Sequence, residues 1–259
     1  MQLVALLGTD PTARALARFR DPEGRVWLHP APPGDIATAV AALPVLGFAG
    51  ALVFGDEARR DAAAATTRRS LEGSDLGVVD AVAVAGDSTI GDFVTARALL
   101  DGLQAGGWEP RGARIAALGG GAVVRGTLRE LATAGAADIA LIAPDAPTAE
   151  HALPDLPAGV RGRAVAAADP TVPTLLERCD LLLRSENLAS PHADALGPHL
   201  TVLDLAPGLA PDWRTEVRAA GGSATAFPDI AARTAAAALR TVVGGEVGVE
   251  PLLDLLHET

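Results

Sequence analysis

Short apolar runs alternate along this chain with segments whose apolar residues recur at helical spacing. The runs at 3–7, 51–54 and 78–84 predict strands, and 35–43 predicts a short helix. Residues 91–103 carry apolar positions three and four apart and predict a helix. The Gly- and Pro-rich stretch 106–112 then breaks the pattern and marks a domain boundary. The clearest stretch follows. Residues 114–118 predict a strand, Gly119-Gly120-Gly121 a tight turn, 122–134 a helix closed by Gly135, and 138–142 the next strand. That is one βαβ unit in about thirty residues. Further strands are expected at 181–183 and 200–205, and helices at 211–219 and 230–243. Strand alternating with helix predicts an α/β fold whose parallel sheet is covered on both faces.

Composition narrows this picture. Hydrophobic residues make up 49% of the 259, enough for a buried core, while aromatics are only 3% and tyrosine is absent. The core is therefore expected to be Leu, Val, Ile and Ala, which suits parallel strands under Ala-rich helices. A formal net charge of −11 argues against nucleic-acid binding. No apolar stretch approaches the length of a membrane span, and the N-terminal stretch reads as a first strand and not a signal peptide. A cytoplasmic protein with no membrane partner is the expectation. The single cysteine, Cys179, precedes an apolar run and is expected to be a core thiol. His192 and His199 share a segment with Asp194, a spacing that is weak for a metal site.

The glycine turn carries the strongest chemical signal. Such turns bring bare backbone against a diphosphate at a helix N-terminus. The full fingerprint wants glycine at its first, third and sixth places; here those are Gly119, Gly121 and Val124. A ligand-free strand-to-helix turn fits the residues as well as a nucleotide site does. Asp145, just past the second strand of the unit, could take a ribose hydroxyl or be a solvated loop residue.

Three stretches in order resemble the shikimate dehydrogenase family, although no single motif is intact. Gly77-Val78-Val79-Asp80-Ala81-Val82 resembles its Gly-Ala-Val-Asn-Thr segment. Gly86-Asp87-Ser88-Thr89-Ile90-Gly91 resembles its Asn-Thr-Asp-Gly motif, and Gly119-Gly120-Gly121-Ala122-Val123 its dinucleotide turn. The resemblance implies a substrate domain from 1–104 plus 228–259 and a Rossmann-like dinucleotide domain at 105–227. It also implies NAD(P)-dependent reduction of 3-dehydroshikimate, a step of aromatic amino acid biosynthesis.

Carried over position by position, the site departs from the family. Gly50-Ala51-Leu52-Val53-Phe54 is similar to the family's Gly-Ala-Asn-Val-Thr strand, which puts the catalytic lysine at Ala58. The chain has no lysine at all: its 21 basic residues are arginines. Arginine stays protonated and cannot serve as a general acid or base near neutral pH. The partner aspartate falls at Ile90, leaving Asp87 and Asp92 as substitute acids. The implied substrate-binding positions are Asp80, Ser88, Thr89 and Arg14; the cofactor positions are Gly119, Gly120, Gly121, Ala122, Val123 and Asp145. The family's arginine for the 2′-phosphate of NADP is replaced by Ala143-Pro144-Asp145, and its Asn-Ala-Thr segment by Leu183-Arg184-Ser185. Two expectations follow. One is a catalytically silent relative that binds NAD or no cofactor, with a hydroxy-acid or a protein as partner; a homodimer is compatible with it. The other is an active, NAD-preferring oxidoreductase on shikimate, quinate or a related hydroxy-acid, using a replacement carboxylate.

Overall fold

The computed structural model describes residues 1–258 except Pro33 and His192. The chain forms two compact units, Met1–Ala98 with the tail from Ala231, and Leu99–Ile230.

The first unit runs β1 (Gln2–Leu7), α1 (Pro11–Leu16), β2 (Val26–Pro30), α2 (Ile36–Ala42), β3 (Gly50–Val53), α3 (Asp56–Ala65), β4 (Arg68–Arg69), α4 (Leu71–Leu76), β5 (Ala81–Ala85) and β6 (Ser88–Asp92). Helix α5 (Thr95–Ala105) begins in this unit. The six strands form one sheet in the order β2-β1-β3-β5-β6-β4. It is mixed and not wholly parallel as the pattern predicted: β5 is antiparallel to both β3 and β6. The reason is local. Gly86, at φ +63°, and Asp87 form a two-residue hairpin turn that folds β6 back on β5. One sheet face carries Ala5, Leu7, Ala51, Val53 and Val82 against residues of α2 and α3. Gly50 is needed where it stands, because a Cβ there would overlap Val82 O and Val242 Cγ1.

The second unit continues with β7 (Arg114–Leu118), α6 (Ala122–Thr133), β8 (Asp138–Ala143), α7 (Ala146–Ala152), β9 (Arg161–Ala166), α8 (Val172–Arg178), β10 (Leu181–Arg184), β11 (Thr201–Asp204), α9 (Asp212–Ala219) and β12 (Ser223–Thr225). Helix α10 (Phe227–Val243) leaves it, and α11 (Glu250–His257) closes the chain's last described stretch within the first unit. Here all strands are parallel, ordered β12-β11-β10-β7-β8-β9. Side chains alternate between two cores. Ile115, Ala117, Ile139, Leu141, Leu181 and Leu183 meet α6 and α7 on one face. Ala116, Leu118, Ile142, Leu182 and Val202 meet α8 and α9 on the other, around the fully buried Trp213. Sheets covered on both faces read as continuous apolar runs, which is why these strands were visible in the sequence.

Cys179 ends α8 and is 2% exposed. Its thiol donates to the Leu176 carbonyl at 3.2 Å, and burial pushes its pKa up to about 12. It is the core thiol the sequence suggested. Among the described residues no helix is long and apolar enough to cross a membrane.

Candidate functional site

In the first unit, chemistry gathers along one edge of the sheet. Register pairs Leu7 with Val53, Leu52 with Ala81, and Ala81 with Asp92. The C-terminal ends of β1, β3 and β6 therefore meet the N-terminal end of β5. Gly8, Phe54, Asp80 and Phe93 are the next residues along that edge. Gly8 sits at φ +107°, where a Cβ would overlap Phe54 O, so only glycine lets the two strand ends close up.

Asp80 is 2% exposed, and both its oxygens are engaged. Val94 N–H donates to Oδ1 at 2.7 Å; Thr95 N–H donates to Oδ2 at 3.0 Å, and the Thr95 hydroxyl donates to the same oxygen. The carboxylate thus caps the start of α5 from fourteen and fifteen residues away. Burial raises its pKa; the Arg59 guanidinium and these hydrogen bonds pull it back without cancelling that effect. Thr95 carries no local signal of this role, because the hairpin that brings it to Asp80 is a tertiary feature.

Ala58 lies in the first turns of α3, beyond the end of β3, with its side chain packed against the apolar core of this unit. Its neighbour Arg59 pairs with Asp56 at 3.4 Å and keeps a buried Nε that has no hydrogen-bond partner among the described residues. Ile90 lies in the middle of β6, paired with Ala83 and Arg68. The residue that meets Asp80 at the edge is Thr95, five positions further on. The two candidate acids separate. Asp92 ends β6 at the same edge as Asp80 and caps its own neighbour, Phe93 N–H, at 2.9 Å. Asp87 is exposed at the hairpin tip, with Ser88 beside it, about 15 Å away along the strand. Thr89 is buried and tied to Thr67, whose backbone N–H donates to its Oγ1 at 3.1 Å. Arg14 is exposed on α1. With Gly8, Thr9, Pro30, Ala31 and Pro32 it lines a cavity of about 270 Å³ beside the ends of β1 and β2.

In the second unit the strand order, read from β9, is 3-2-1-4-5-6. This is the doubly wound order in which ligands sit outside the carboxyl ends of the two central strands. Those strands are β7 and β10, and the glycine turn follows β7. Gly119 and Gly121 both adopt φ +98°, and Gly121 is the N-cap of α6. A Cβ on Gly119 would overlap Ser185 Oγ and Glu186 Cγ, just after β10. Ala122 and Val123 open α6, and the Val123 carbonyl accepts from Thr127 Oγ1 at 2.7 Å. Val124, where the fingerprint wants a third glycine, is fully buried in the core. Asp145 follows β8 and is the N-cap of α7; Thr148 N–H donates to its Oδ1 at 2.8 Å and helps hold its carboxyl below the usual range. Sequence reasoning passed over Glu186, whose carboxylate reaches the turn: Gly120 N–H donates to Oε1 at 3.4 Å.

Arg184, beside this crevice, is 1% exposed and pairs with Asp204 at 3.1 Å; Arg214 lies 2.8 Å from the same carboxylate. His192 lies outside the described residues, and the described residues contain no group of three or more potential metal ligands.

No family model and no curated protein matches the sequence. Solved structures do match over nearly the whole chain. The 5-ketofructose reductase of Gluconobacter sp. strain CHM43 is 19% identical, with a TM-score of 0.78 over 99% of this chain and 98% of that one. Shikimate 5-dehydrogenase from Listeria monocytogenes, in complex with shikimate and NAD, is 15% identical, with a TM-score of 0.78 over 98% and 96%. Quinate dehydrogenase from Corynebacterium glutamicum, in complex with NAD, is 17% identical, again at 0.78, over 100% and 99%. The chain has the shikimate dehydrogenase fold. At these identities the likeness establishes architecture, and the two-domain α/β organisation expected from the resemblance is the one observed.

Proposed function

We propose that the chain is a dinucleotide-binding protein of oxidoreductase lineage that prefers NAD and lacks the ordinary reaction between shikimate and 3-dehydroshikimate. The observation that carries this reading is a glycine turn retained at the switch point of one sheet while Ala58, at the site edge of the other, packs into apolar core. Bound NAD would supply hydride transfer. Gly119 to Gly121 and the start of α6 would take its diphosphate, and Asp145 the adenosine ribose. An ionised Asp145 disfavours the 2′-phosphate of NADP. The NAD complexes of two similar structures support a nicotinamide dinucleotide as cofactor. The small-molecule partner on this reading is a hydroxy-acid of the shikimate or quinate kind, and the protein is cytoplasmic.

The first test is thermal unfolding with added nucleotide. NAD at about a hundred times its dissociation constant stabilises by roughly 2.7 kcal/mol, a rise in Tm of about 5–10 °C for a chain of this size. NADP at the same concentration is expected to give less than half that rise. Shikimate oxidation with NAD should run about a hundred- to ten-thousand-fold below an ordinary member of the fold, the usual cost of a missing acid or base. Turnover at ordinary rates rejects the catalytic half of the proposal. No shift with either nucleotide rejects the binding half and favours a protein partner.

One observation favours a second reading, an active NAD-preferring oxidoreductase. Asp92 shares its sheet edge with Asp80 and is half-buried, which suits a replacement acid better than the exposed Asp87. Any activity found should then fall at least a hundredfold in Asp92→Asn and stay unchanged in Asp87→Asn.

A further inference from the structure

The glycine turn of the second unit has a feature that works against its own use. A turn of this kind holds a diphosphate by offering uncovered backbone N–H groups and the positive end of a helix. Here a carboxylate already faces it. Glu186 Oε1 accepts from Gly120 N–H at 3.4 Å, and the Glu186 Cβ and Cγ stand so close to Gly119 that no side chain fits between them.

The backbone that carries this carboxylate is fixed. Ser185 N–H and Glu186 N–H both donate to the Leu118 carbonyl, at 2.9 and 3.1 Å, which ties the end of β10 to the end of β7. Ser185 Oγ adds contacts to the Leu118 and Gly120 carbonyls at 3.2 and 3.4 Å. The glutamate is therefore held over the turn by the parallel pairing of the two central strands, and among the described residues no arginine neutralises it. A diphosphate entering this crevice must displace the carboxylate or lie beside it, like charge against like charge, within a few ångströms.

We propose that Glu186 is a specificity-determining residue that sets this crevice against diphosphates, so that the protein binds dinucleotide weakly until that charge is removed or swung aside. The inference rests on the dinucleotide reading of the glycine turn. It accounts for a fold that keeps the turn while placing an acid over it.

The test compares wild type, Glu186→Gln and Glu186→Ala by calorimetric titration with NAD, and with adenosine as a ligand lacking phosphate. Glu186→Gln keeps the shape and the acceptor for Gly120 N–H but removes the charge. It is expected to bind NAD at least tenfold more tightly than wild type at low salt, with adenosine unchanged. The gain should shrink as salt rises, because repulsion between exposed charges is screened. Equal NAD affinity in wild type and Glu186→Gln overturns the proposal and leaves the dinucleotide reading standing. Weaker NAD binding in the variant overturns it too, and makes Glu186 a ribose contact. Equal gains for NAD and adenosine would mean that the substitution merely loosens the crevice, which also overturns it. If no form binds NAD, both the proposal and the reading beneath it fall.

Discussion

Replacing Arg184 with alanine is expected to destabilise the second unit by about 3–5 kcal/mol, the usual cost of removing one partner from a buried ion pair. Arg184 donates to Asp204 Oδ1 at 3.1 Å, Asn187 Oδ1 at 3.1 Å and the Ala210 carbonyl at 3.0 Å, with Asp212 at 3.8 Å. The strands β10 and β11 place Arg184 and Asp204 side by side in register. Without the guanidinium, Arg214 is the one ion-pair partner left to Asp204 among the described residues, and the Asp204 side chain is 2% exposed. Burial already raises the Asp204 carboxyl's pKa despite both arginines, so losing one leaves the charge poorly compensated. Arg184→Met restores the packing of the stem but not the charge, and should recover only part of the loss. Urea unfolding followed by tryptophan fluorescence reads this directly, since Trp213 sits in the same unit. A cost below about 1 kcal/mol would show that the network behaves like a surface pair.

Asp80→Ala is the second large effect expected, at least about 3 kcal/mol. It strands the N–H groups of Val94 and Thr95 and the Thr95 hydroxyl at the start of α5, and each buried unsatisfied donor costs about 1–3 kcal/mol. Asp80→Asn keeps the volume and one acceptor but turns an amide N–H₂ toward a donor, so it should fall between wild type and alanine. The two proteins also differ in pH dependence. The native carboxyl's pKa is raised by burial, so the folded state holds its proton more tightly than the unfolded one. The stability linked to that proton is fully present below the unfolded value, about 3.9, and is lost as pH rises through the native one. Wild type should gain stability relative to Asp80→Asn as pH falls through that window. A constant difference between the two across the window would show that the buried carboxyl does not titrate as its setting demands.

The sequence carried the second unit better than the first, and the reason is burial. Strands β7, β8 and β10 are covered on both faces and announce themselves as apolar runs, with the glycine turn between β7 and α6 as punctuation. Strand β2 shows no apolar run, because Trp27 and His29 face outward and Pro30 ends it; β9 shows none, because Arg161 and Arg163 sit on an edge, where they pair with Asp138. The hairpin matters more. Read as part of a motif and not as a turn, Gly86 and Asp87 put Ile90 at the site position and leave Thr95 out. Positions fixed by the local backbone, such as Gly119, Gly121 and Asp145, could be read from the chain. Those fixed by pairing across the sheet, such as Thr95 on Asp80 and Glu186 on Gly120, could not.

Cys179 gives the second unit a silent reporter of its own opening. The thiolate is the reactive form, and here it is suppressed twice over, by a pKa near 12 and by a side chain closed off from water. No second cysteine competes with it. Alkylation of the native protein is therefore gated by excursions that uncover the α8–β10 junction, and its rate counts those excursions against the steady background of a folded chain.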